Sequence, residues 1–221
     1  RSILVSLFFT DDGIFSLDKL KNISQFEETS HIIKNRELFG SDFKDIHKIE
    51  ILYKHILKLQ SSSALNIDDN KLIFLKTHSG LFNVLNYPFT NIINTGGVIY
   101  IVRDPRDVCI SWSKHSGKSL EESVEFMIND NQGLQWNETD LEHVFNDNNR
   151  PMYYLSSWNR HVQSWCSAKW DIPKLILKFE DLVYNKEQVI IKLIHFFEDN
   201  YNIKFQDTDL KIKNIIHSTS F

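Results

Sequence analysis

Residues Val98 to Ser111, reading Val-Ile-Tyr-Ile-Val-Arg-Asp-Pro-Arg-Asp-Val-Cys-Ile-Ser, constrain the fold more than any other stretch. Five consecutive β-branched or aromatic residues suit a strand buried on both faces, the kind found inside parallel sheets. Asp104 and Pro105 then suit a helix opening, because proline has a preset φ and lacks a donor that the first turn leaves unused. Arg103 is thereby expected at the carboxyl end of a strand. Ligands bind at that edge in open α/β sheets, and a guanidinium beside unpaired helix N–H groups is suited to holding an anion such as phosphate. The same local pattern equally allows Arg103 to pair with Asp107 and staple the turn.

A second strand, Leu72-Ile73-Phe74-Leu75, runs into Lys76-Thr77-His78. Together the two strand ends resemble the sulfotransferase family, which uses 3′-phosphoadenosine 5′-phosphosulfate (PAPS) as sulfuryl donor and releases the bisphosphate PAP. The resemblance continues in Ser157 to Trp165, in Leu175 to Leu182 and in the closing Thr219-Ser220-Phe221. It implies that Arg103, with Ser111 eight positions later, grips the donor's 3′-phosphate. It also implies that His78 is the general base, with Lys76 assisting, and that Thr219 and Phe221 lie against the adenine. His161 would line the acceptor pocket. Phe179 stands where many relatives carry Tyr, so it is set aside as a donor contact.

One element of that family is not in this sequence. Its donor loop, Pro-Lys-Ser-Gly-Thr/Asn-Thr, lies between a first strand and a first helix, whereas Arg1 to Phe9 reads as that helix already under way. The Arg-Lys-Gly stretch that follows Thr-Ser-Phe in relatives does not follow Phe221 either. The expectation is therefore one sulfotransferase-like domain over residues 1–221, truncated at both ends and with little or no activity as it stands. The implied fold is a P-loop NTPase-like three-layer α/β domain, a central parallel sheet flanked by helices.

Composition agrees with this reading. A chain of 221 residues with 42% apolar content can bury one substantial core. A formal charge of −4 argues against nucleic acid, which wants a basic face. No apolar run reaches membrane-spanning length. Cys109 and Cys166 are too few and too irregularly spaced for a disulfide framework, which makes a reducing cytoplasm the default location.

Along the chain, Leu17 to Phe43 reads as loops and short helices, and Asp45 to Gln60 as an amphipathic helix. Residues 79 to 97 form a long connection, and Ser119 with Glu122 forms a capping box that opens a helix. Residues 129 to 150 read as a polar excursion, Tyr153 to Trp170 as a long helix whose tryptophans are core, 174 to 178 as a strand and Lys186 to Glu198 as a helix.

Sulfuryl transfer needs the acceptor placed in line with sulfur, a base to draw off its proton and a fixed cation near the developing charge. A neutral imidazole suits the base role near pH 7. No metal is required. The resemblance implies a small-molecule hydroxyl or amine as acceptor, and a homodimer is left open. Two other readings compete: a nucleotide-kinase-like phosphotransferase, in which Lys-Thr-His has no clear role, and a non-catalytic nucleotide-binding module.

Overall fold

The computed structural model describes residues 1–25, 27, 29–61, 72–135 and 152–219. Phe221 lies outside the described residues. In chain order the strands are β1 (Ser24–Gln25), β2 (Leu75–Lys76), β3 (Asn83–Val84), β4 (Tyr87–Pro88), β5 (Val98–Val102), β6 (Gly133–Gln135), β7 (Met152–Tyr154) and β8 (Lys174–Lys178). Helices intervene, so the fold is mixed α/β. It divides into two compact units, one of residues 1–24, 97–104 and 172–221, the other of residues 25–96 and 105–171.

The first unit is organised by a parallel ladder. β5 pairs with β8 in register, Val98 opposite Lys174 through Val102 opposite Lys178. Both strands have the bounds read from the sequence, but they are not buried on both faces as their residue types suggested: among the described residues the ladder has two strands, and Ile101 and Ile176 are 46% and 45% exposed. The ladder opens with Val98 N–H donating to Pro173 O at 2.9 Å. Gly97 precedes it because a Cβ there would run into the Tyr201 hydroxyl. Helices Ser2–Phe9, Phe179–Tyr184, Lys186–Tyr201 and Thr208–Ser218 belong to the same unit. Their buried face joins Ile3, Val5 and Leu7 to Val189, Ile190, Leu193, Phe197 and Ile215. Phe8 meets the rings of Phe197 and Phe205 edge-on at 4.7 and 5.2 Å. Helix Lys186–Tyr201 runs one turn beyond the expected Glu198 and stops at Asn202, whose φ of 53° is a left-handed cap.

The second unit is built on helix Ile49–Leu59, whose Leu52, Tyr53, Ile56 and Leu59 recur at helical spacing and are all buried. They share a core with Ile32, Phe39, Ile46, Phe89, Tyr153 and Trp165. The helix starts four residues later than the expected Asp45, because Lys48 is extended and Gly40–Asp45 forms a 3₁₀ turn. Helix Leu120–Ile128 begins with the expected capping box: Glu122 N–H donates to Ser119 Oγ at 3.1 Å, and Ser119 N–H to Glu122 Oε2 at 2.8 Å.

Two expectations need correction. The strand expected over residues 72–76 is reduced to Leu75–Lys76, because its partner β1 is only two residues long and Leu72 and Ile73 are exposed. The long helix expected from Tyr153 is a strand followed by the shorter helix Trp158–Cys166. Tyr153 and Tyr154 pair antiparallel with β6, and Ser156 at φ 58° breaks the run before the helix can start. Of the three tryptophans in that span, only Trp165 is fully buried.

Gly13 is a point of tight fit in the first unit. Its φ is +81°, and a Cβ would come within 2.8 Å of Lys211 O. Lys211, itself buried, sends its ammonium to the Thr10 and Leu7 carbonyls at 3.1 and 3.4 Å, closing the end of helix Ser2–Phe9. Gly13→Ala is expected to lower unfolding free energy by roughly 2 kcal/mol through left-handed strain and backbone collision, measured as a lower urea midpoint with unchanged slope.

Candidate active site

The second unit gathers Lys76, Thr77, His78 and Ser79 just beyond β2. Extended backbone alternates sides, so residues two apart share one, and the extension persists far enough here for Lys76 and His78 to meet. Lys76 Nζ lies 2.5 Å from His78 Nε2 and 3.0 Å from Gln25 Oε1. An ammonium can only donate, so Nε2 accepts and the imidazole proton sits on Nδ1. Tyr153 closes one side of the ring edge-on at 6.0 Å. Burial first, then the Lys76 charge and the neighbouring His161, push the His78 pKa down to about 4. His161 is also lowered by burial, against the opposing effect of its bond to the His78 carbonyl. Both imidazoles are therefore neutral at pH 7.

The backbone on either side of His78 is held by side chains. Glu27 Oε1 accepts the Thr77 hydroxyl, His78 N–H at 3.3 Å and the Ser79 hydroxyl at 3.2 Å. His161 Nε2 donates to His78 O at 3.0 Å, and Trp165 Nε1 donates to Ser79 O at 3.1 Å. Further along, Gly80 N–H donates to Tyr154 O at 3.0 Å and Leu81 N–H to Ser164 Oγ at 2.9 Å. Glu27 is only 2% exposed. Burial raises its pKa to about 7, although its hydrogen bonds with Thr77, His78 and Ser79 pull the other way.

The first unit carries the other strand end. Because Val102 faces Lys178 in the ladder, the next residues on each strand emerge side by side. The Arg103 guanidinium sits 4.5 Å over the Phe179 ring, and Asp104 N–H donates to Glu180 Oε1 at 2.9 Å. Arg103 Nε is buried and has no hydrogen-bond partner among the described residues. Phe179, discounted in the sequence for lacking a hydroxyl, is thus the platform on which Arg103 rests.

The remaining sequence candidates have other surroundings. Ser111 is an exposed residue of helix Pro105–Ser116, in the second unit, whereas Arg103 belongs to the first. Thr219 is buried; its hydroxyl donates to Ile215 O at 2.6 Å and its carbonyl accepts Lys186 Nζ at 2.7 Å. Glu27 was missed altogether, since an isolated Glu in a polar stretch gives no sequence sign of burial. A cavity of about 450 Å³ in the second unit is lined by Trp112, Lys118, Glu122, Phe126, Asn129 and Gln132, among others, and by neither Lys76 nor His78. Among the described residues no group of three or more His, Cys, Asp or Glu is placed to hold a metal ion, and no helix is long and apolar enough to cross a membrane.

Comparison with known proteins gives two findings. A family model described as "Sulfotransferase domain" matches residues 13–221. A protein named Sulfotransferase 1B1, from Canis lupus familiaris, is 29% identical over 130 residues. That match takes in 58% of this chain and 37% of the dog protein's length.

Opposed titrations make the site's stability testable. Glu27, raised from 4.5 to about 7, adds stability that is complete below 4.5 and disappears as pH rises through 7. His78, lowered from 6.5 to about 4, adds stability present above 6.5 and lost as pH falls through 4. The two windows overlap with opposite slopes. Glu27→Gln should remove one of them: relative to wild type it gains up to about 3 kcal/mol between pH 4.5 and 8. His78→Gln should tilt the curve the other way. Denaturant unfolding at several pH values decides; parallel wild-type and Glu27→Gln curves would refute it.

Proposed function

Because the chain belongs to the sulfotransferase family, we propose that it moves a sulfuryl group from PAPS to a hydroxyl or amine of a small-molecule acceptor, with His78 as general base. The observation that carries this reading is the Lys76–His78 pair, a neutral imidazole in direct contact with a fixed cation. The P-loop-like three-layer architecture belongs to the same proposal, as does release of PAP. The dog relative's name supports sulfuryl transfer for the matched stretch.

The donor, when bound, supplies a sulfuryl group on a phosphate leaving group. This chain's residues would do the rest. His78 takes the acceptor's proton, for which its ring must be neutral and its lone pair accessible. That lone pair faces Lys76, so the acceptor hydroxyl must displace the ammonium, leaving Lys76 beside the charge that grows as sulfur is attacked. His161 would sit behind the base, on its carbonyl.

The chemistry of Arg103 fits a phosphate group of a bisphosphate nucleotide. Arg103 has a buried Nε without a partner among the described residues, and its guanidinium plane is set by Phe179, which leaves its edge to grip phosphate. Ser111 offers an exposed hydroxyl. Thr219 has its hydroxyl committed to the helix end and would meet adenine only through its surface.

Two outcomes are expected. Adenosine 3′,5′-bisphosphate should bind more tightly than AMP in calorimetry, and Arg103→Ala should lose roughly 10- to 100-fold of the bisphosphate affinity and little of the AMP affinity. Equal binding of the two nucleotides by the wild-type chain would sink the assignment. Lys76→Met should raise the His78 pKa, because it removes a positive neighbour that holds it down; imidazole NMR titration reads the shift, and the acid limb of any pH–rate profile should move to higher pH with it.

A further inference from the structure

Glu27 is a buried carboxylate with no part in the chemistry above. Its Oε1 gathers three donors from three consecutive residues, the Thr77 hydroxyl, His78 N–H and the Ser79 hydroxyl. Its Oε2 is buried and without a hydrogen-bond partner among the described residues. At 2% exposure the carboxylate is out of reach of an acceptor molecule, so it is not a second base. β2 ends at Lys76, so the peptide groups of His78 have no sheet ladder to hold them. Side chains do so instead: Glu27 takes the N–H, and His161 takes the carbonyl at 3.0 Å. A single ring flip of His78 does not change its backbone, but a freed backbone would let the imidazole leave Lys76.

We propose that Glu27 is the positioning residue of His78, fixing through one carboxylate oxygen the backbone from Thr77 to Ser79 so that the imidazole stays against Lys76. This rests on the reading of His78 as base and deepens it. The charged and titratable groups facing the cluster are Lys76, His78 and His161 from its own and the facing helix, Tyr53 from helix Ile49–Leu59, and Tyr153 and Tyr154 from β7. Burial lowers both imidazoles and raises Tyr53, while it brings Glu27 to about 7.

The test is NMR on the full 221-residue chain without ligand. The His78 amide resonance should move with pH around a midpoint near 7, following protonation of its acceptor. In Glu27→Gln, which keeps one acceptor oxygen, that transition should vanish while the amide stays protected from exchange. In Glu27→Met the amide should exchange about 10-fold or more faster, and the ring ¹⁵N shifts should move toward a mixture of tautomers. A wild-type His78 amide that shows no transition shared with the Glu27 carboxyl, or a Glu27→Met protein with unchanged protection and ring shifts, would overturn the proposal. Should Glu27→Met fail to fold, the wild-type titration and its loss in Glu27→Gln decide alone. Where turnover is measurable, Glu27→Met should lower kcat by about 100-fold with bisphosphate affinity unchanged. NMR changes as expected in a chain that binds bisphosphate no better than AMP would refute the sulfotransferase reading and leave the positioning role standing.

Discussion

The in-register pairing of β5 with β8 is the constraint on which the geometry around Arg103 depends. Parallel strands held residue for residue leave their last members level, so whatever follows them emerges side by side. Arg103 therefore meets Phe179, and Asp104 meets Glu180. Moving the register by one residue would turn Arg103 toward the opposite face and separate both pairs. The aromatic face holds the guanidinium flat without neutralising it, whereas a carboxylate partner would compete with an incoming anion. The backbone bond from Asp104 N–H holds the Glu180 carboxylate below its ordinary pKa and fixes the start of the turn into helix Pro105–Ser116.

The Lys-Thr-His end is organised by the opposite strategy. There the strand pairing is only two residues long, and order comes from a dense side-chain network around one buried carboxylate. Such networks specify geometry strongly because each unmade bond in a dry site is costly. The price appears in Glu27, whose charge is poorly solvated at neutral pH. The neighbouring His78 imidazole is held neutral by the same burial, so one desolvated environment raises one group and lowers the other.

Local pattern carried most of what was legible. The strands at 98–102 and 174–178, the capping box at Ser119 and the amphipathic helix around Leu52 and Ile56 follow from residue types and spacing that need no distant partner. Where the partner decides, pattern misleads. Leu72 to Phe74 are as apolar as a strand should be, yet they have too short a neighbour. Tyr153 and Tyr154 look compatible with the helix that follows until β6 is seen beside them. Lys76 and His78 could be named from their triplet and their two-residue spacing. Glu27 could not, since its role arises from a separation of 50 residues or more to each group it binds. Phe179 was present in the sequence but was judged by a hydroxyl it lacks rather than by the face it offers.

The order in which residues leave a ribosome bears differently on the two units. Residues 25–96 and 105–171 are complete before the last segment of the other unit, residues 172–221, is made. Helix Ser2–Phe9 waits long: Lys211, which closes its end, lies 204 residues beyond Leu7, and Ser218 Oγ, which receives Phe15 N–H, lies 203 residues beyond that donor. At ordinary synthesis rates this leaves Ile3, Val5 and Leu7 without their final neighbours for about 10–40 s. These apolar residues thus find shelter late, which makes the nascent chain a natural client for factors that shield such segments until the residues around Lys211 have emerged.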